Sequence, residues 1–69
     1  MKVTELRKIV NAKRVDQFKL QSAVKFLAEN IEMMPMGAVQ AFKDLLRKGA
    51  INAGIELQDL QDVYNSYRK

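Results

Sequence analysis

The side chains able to do chemistry in this sequence are few in kind. Cysteine and histidine are both absent, which removes disulfides, thiolate and imidazole metal ligands and the commonest general base together. Ser22 and Ser66 have no histidine to activate them, and no glycine-rich loop ending in Lys-Ser or Lys-Thr is present to cradle a phosphate. Glu29 and Glu32 stand one helical turn apart, but with no imidazole partner they read as an ordinary acidic helix edge. The expectation is a protein that is not an enzyme, holds no metal or cofactor, and works by binding.

Charge offers the first binding surface. The net charge is +4, and it is concentrated at one end. Through Ala28 seven basic residues stand against two acidic ones; from Glu29 onward five stand against six. Arg7, Lys8, Lys13 and Arg14, with Asn11 among them and Lys19 following, surround the expected turn between the first two helices. A helix end and a loop at such a place both reach a phosphate backbone. The ordinary alternative is a solvated basic face, and no aromatic residue interleaves the charges from Arg7 to Arg14.

Misplaced apolar residues offer the second. Phe18 lines up with Ser22, Lys25 and Glu29 on a polar helix face. It either packs beneath the first helix or stands free as an interface anchor. Met33, Met34 and Met36 gather around Pro35, and methionine serves equally as a filler of small cores and as a pliable recognition surface.

These residues must be positioned by helices, because between sparse punctuation the apolar residues recur at helical spacing and nothing alternates with period two. A short first helix is expected from Thr4, as N-cap, to about Ala12, with Val3, Leu6 and Val10 inward. Asp16 is the expected N-cap of the second and longest helix, with Val15 meeting Leu20 as a hydrophobic staple. Leu20, Val24, Leu27, Ala28 and Ile31 share its inner face. Pro35 must end that helix, since the residue before a proline is pushed out of the α region. A third helix is expected over 37–48, with Gly49 as its left-handed C-terminal residue and an Asp44–Lys48 pair on its surface. A fourth is expected over 56–67, with Leu57, Leu60, Val63, Tyr64 and Tyr67 inward and charges ordered to suit the helix dipole.

From Ala50 to Val63 the spacing resembles the helix-turn-helix pattern: Ala50, Gly54, Ile55, then Leu60 and Val63 at inward positions of a following helix. The resemblance implies DNA binding, with that last helix as reader. Two features oppose it. Gly49 would fall inside the first helix of the motif, at a cost of about 1 kcal/mol relative to alanine, and the second helix presents Glu56, Asp59 and Asp62 to phosphates that would repel them.

The sum is an all-α, small single-domain bundle of about four short helices spanning 1–69, centred on Phe26, Phe42, Leu27, Leu45, Leu60 and Tyr64. A chain of this size buries only about 60% of its unfolded surface, so its core is simple. No apolar run reaches the roughly 20 residues of a membrane span, and a cytoplasmic location without membrane attachment is the expectation. The function expected first is that of an adaptor, inhibitor or regulatory subunit docking on a protein partner through Phe18, Met33, Met34 and Met36. Binding of DNA or RNA through Arg7, Lys8, Lys13, Arg14 and Lys19 comes second. Self-association is left open.

Overall fold

Asp16 and Pro35 divide the helical periodicity where their chemistry requires. A computed structural model describes residues 1–68, and among these the chain forms four α-helices: α1 (Val3–Val10), α2 (Gln17–Asn30), α3 (Met36–Ala53) and α4 (Leu57–Tyr67). There is no strand among the described residues. At the start of α2 the Asp16 carboxylate accepts the Phe18 N–H at 2.8 Å, satisfying one of the donors a helix leaves free at its N-terminus. Val15 and Leu20 are both buried on either side of it, as the staple requires.

At the other end of α2, Asn30 donates from its side chain to the Phe26 carbonyl at 2.8 Å. The chain then tightens into one 3-10 turn, Ile31–Met33. Met34 is extended (φ −91°, ψ 141°), the conformation a following proline imposes. Pro35 becomes the N-cap of α3, its carbonyl accepting the Val39 N–H at 3.1 Å. Helices α2 and α3 are thereby antiparallel, with Leu20 beside Gly49 at one end and the rings of Phe26 and Phe42 stacked at 5.8 Å further along. Helix α1 packs chiefly on α3, and α4 chiefly on α2.

Three expectations change. Helix α1 begins at Val3 rather than after Thr4, with the Glu5 and Leu6 N–H groups bonding to the Lys2 carbonyl and no side-chain cap. This start leaves Leu6 and Val10 fully buried. Helix α3 does not stop at Gly49. It runs on to Ala53, which makes α3 and not α2 the longest helix, and the left-handed residue is Gly54, at φ +72°. There the Ile55 N–H bonds to the Ala50 carbonyl and the Gly54 N–H to the Ile51 carbonyl, the paired bonds of a Schellman ending. Gly49 serves packing instead: a β-carbon there would lie 2.6 Å from Leu20 Cδ2 and 3.1 Å from Val10 Cγ2. Finally, Asp44 pairs with Arg47 at 3.6 Å and not with Lys48.

The core also shifts. Phe42, Leu27 and Leu60 are buried as expected, whereas Phe26, Leu45 and Tyr64 are half-buried around its edge. The most enclosed residues are Leu6, Val10, Leu20 and Ala23, at the junction of α1, α2 and α3. Small residues there, Gly49 and Ala50, allow the helices to approach closely. Among the described residues the buried side chains are all apolar.

Candidate nucleic-acid interface

The loop between α1 and α2, residues 11–16, is held from three sides. The Asn11 N–H bonds to the Arg7 carbonyl at 3.0 Å, closing α1. Val15 is tucked into the core, and Asp16 opens α2. From α3, the Asn52 side chain donates to the Val10 carbonyl at 3.1 Å, satisfying one of the acceptors a helix end leaves free. Asn52 was not singled out by sequence reasoning; a lone amide in the otherwise apolar run from Ala50 to Ala53 is the signal that marks it.

This frame leaves the polar residues of the loop outward. Arg7, Lys8, Lys13, Arg14 and Lys19 are all exposed. Lys8, Arg14 and Lys19 come together, with Ile9, Ala12 and Asp16, around one shallow depression. Arg7 and Lys13 lie outside it. The ion pairs among the described residues are Arg47–Asp44 and Arg68–Glu32, so none of the cations from Lys2 to Lys25 is in one. The carboxylate in the same lining, Asp16, accepts the Phe18 N–H and forms no ion pair with these cations.

Phe18 does not pack beneath α1. It is 78% exposed, because the cap at Asp16 sets a register in which Leu20, Ala23, Val24 and Leu27 face the core. Phe18 is carried to the outer face with Ser22, Lys25 and Glu29, all exposed. The methionines divide. Met33 and Met36 are 86% and 76% exposed, while Met34 is half-buried against the core. They sit beyond the far end of α2, about 20 Å from Phe18 at 1.5 Å per residue. Phe18 and the methionine turn therefore do not form one surface.

Tyr67, expected inward, is 48% exposed at the end of α4. The Lys25 ammonium stands over its ring, 5.7 Å from the centroid, within the range of a cation–π contact. The end of α4 is fastened to the end of α2 by Arg68, whose guanidinium donates to the Ala28 carbonyl and to Glu32, each at 3.4 Å. Outside this region, a groove of about 210 Å³ between α2, α3 and α4 is lined by Val24, Leu27, Leu46 and Leu60, with Lys43 and Arg47 exposed beside it. It shares no residue with the basic depression.

The segment resembling a helix-turn-helix keeps its inward positions inward: Ala50 and Leu60 are buried, Ile55 and Val63 half-buried. The glycine objection disappears, since α3 runs through Gly49 and turns at Gly54. The charge objection stands. Asp59 and Asp62 are exposed on α4, and the amides beside them are engaged, Gln58 with Asp62 at 2.9 Å and Gln61 with Asn65 at 3.2 Å. No known protein family, curated protein or solved structure matches the chain.

Proposed function

We propose that this is a non-catalytic, cytoplasmic protein that binds nucleic acid through the loop between α1 and α2. The observation that carries this reading is that Lys8, Arg14 and Lys19, exposed and outside the ion pairs found among the described residues, line one depression with a single carboxylate, Asp16, among them. Unneutralised cations held on a fixed frame attract a phosphate backbone and release its counterions on contact. Lys13 extends the patch along the same loop.

The reading makes affinity depend on salt in a calculable way. If Lys8, Lys13, Arg14 and Lys19 each neutralise one phosphate, log K falls against log salt with a slope of roughly −3, from the 0.7 to 0.9 per contact typical of single and double strands. Fluorescence anisotropy over a salt series measures that slope. Replacing Lys13 and Arg14 by glutamate together is expected to remove binding at physiological salt. An unchanged affinity in that double variant, or a slope near zero, would refute the reading.

A second reading, docking of a protein partner, draws on Met33 and Met36, which hold two flexible apolar side chains in solvent at the α2–α3 turn. A partner captured from host lysate after nuclease treatment, and lost when Met33 and Met36 are replaced by serine, would support it.

A further inference from the structure

The outer face of α2 continues the basic depression and adds aromatic rings to it. Phe18, Ser22, Lys25 and Glu29 follow one another along this face at helical spacing, all exposed. Phe18 lies one residue before Lys19, which lines the depression. Its own N–H is fixed by Asp16, another residue of that lining. Lys25 lies about 10 Å further along the helix axis, with the half-exposed ring of Tyr67 beneath its ammonium. Cations and aromatic rings thus alternate: Arg14 and Lys19, Phe18, Lys25, Tyr67. The sequence of α2 alone does not show this, because Tyr67 arrives from the end of α4.

Alternation of this kind suits bases that are free to leave a stack. In a duplex the flat faces of the bases are covered by their neighbours, and only edges and phosphates are offered. In a single strand each base has an accessible π-face, and proteins that hold such strands combine a basic track with aromatic platforms. The acidic outer face of α4, with Asp59 and Asp62 exposed, is poorly suited to enter a duplex groove. Glu29 and Glu32 mark where the track ends, since both carboxylates are exposed beyond Lys25.

Resting on the nucleic-acid reading above, we propose that the ligand is an unpaired strand, its phosphates on the basic loop and its bases stacked on Phe18 and Tyr67. The shared chemistry is a polyanionic backbone with exposed bases, which single-stranded DNA and RNA both supply.

The test uses the whole chain with labelled oligothymidylate, oligouridylate and a DNA duplex of equal length, near physiological salt. The expected result is at least tenfold preference for one or both single strands over the duplex. Phe18→Ala should weaken single-strand binding about 5- to 150-fold, the range given by stacking one base, while leaving duplex binding and thermal unfolding unchanged. The chain has no tryptophan, so Phe18→Trp supplies a single reporter. It should bind as tightly as the parent, with its emission quenched by the oligonucleotide. Tyr67→Phe should bind as the parent does and Tyr67→Ala more weakly. Comparison of oligothymidylate with oligouridylate distinguishes DNA from RNA, and preference for either sustains the proposal. Equal affinity for duplex and single strand, with Phe18→Ala indistinguishable from the parent and the indole emission of the Phe18→Trp variant unmoved, would overturn it. The salt dependence and the charge reversal at Lys13 and Arg14 would then still support the broader reading. Binding to none of the three would overturn both.

Discussion

Gly49→Ala sets two effects of opposite sign against each other, and the geometry decides between them. Within a helix, alanine is favoured over glycine by about 1 kcal/mol, so on propensity alone the change stabilises. The added β-carbon, however, would sit 2.6 Å from Leu20 Cδ2 and 3.1 Å from Val10 Cγ2. Both neighbours are completely buried, so neither has solvent to move into. Overpacking of this kind costs about 1–3 kcal/mol. The net expectation is a loss of about 1 kcal/mol, which at a urea m-value of about 1 kcal/mol/M lowers the midpoint by about 1 M. The decisive measurement is a double-mutant cycle followed by far-UV circular dichroism. In a Leu20→Ala background the closer obstruction is gone while the 3.1 Å approach to Val10 Cγ2 remains, and there Gly49→Ala should be about neutral, giving a coupling of about 1 kcal/mol between the two sites. A single variant more stable than the parent, or additive effects, would refute the close approach of α2 to α3.

Other positions make simpler predictions. Gly54→Ala meets open space but must hold φ +72°, so it should cost about 1–2 kcal/mol through backbone strain alone and show no coupling to Leu20. Asp16→Ala removes the cap on the Phe18 N–H and should cost about 1 kcal/mol, with Asp16→Asn recovering most of it in the same denaturation assay. Phe42→Ala and Leu60→Ala each empty a buried site and should cost about 2–5 kcal/mol. In a small domain with about 5 kcal/mol of total stability, a loss at the upper end of that range leaves a substantial unfolded fraction at room temperature, visible as lost helical ellipticity, and one at the lower end shows as a lower urea midpoint.

What was legible in the sequence was what local chemistry decides. The Asp16 cap, the Val15–Leu20 staple and the turn at Met34-Pro35 depend on residues within a few positions of one another, and each stands as read. Gly49 and Gly54 could not be told apart in that way, since either glycine can end a helix. The choice between them is made by Val10 and Leu20, which come from other helices and need the space a missing β-carbon leaves. Helical periodicity likewise placed Phe26, Leu45 and Tyr64 at the centre of the core, while the tightest packing forms where small residues let α1, α2 and α3 meet. The cations of the candidate site were visible as a cluster in sequence. Their arrangement with Lys19 around one depression, and the arrival of Tyr67 beside Lys25, depend on how the helices cross.

The unpaired state of the cations around the α1–α2 loop has a consequence for the folded protein itself. Like charges gathered in excess of their counter-charges repel, and the compact state bears that repulsion more than an expanded chain does. Added salt screens it. Ionic strength should therefore push the two properties of the molecule in opposite directions, firming the fold while loosening its hold on a polyanion. The same tension applies to substitution: exchanging Lys13 and Arg14 for glutamate should yield a protein that unfolds at slightly higher temperature than the parent and no longer binds.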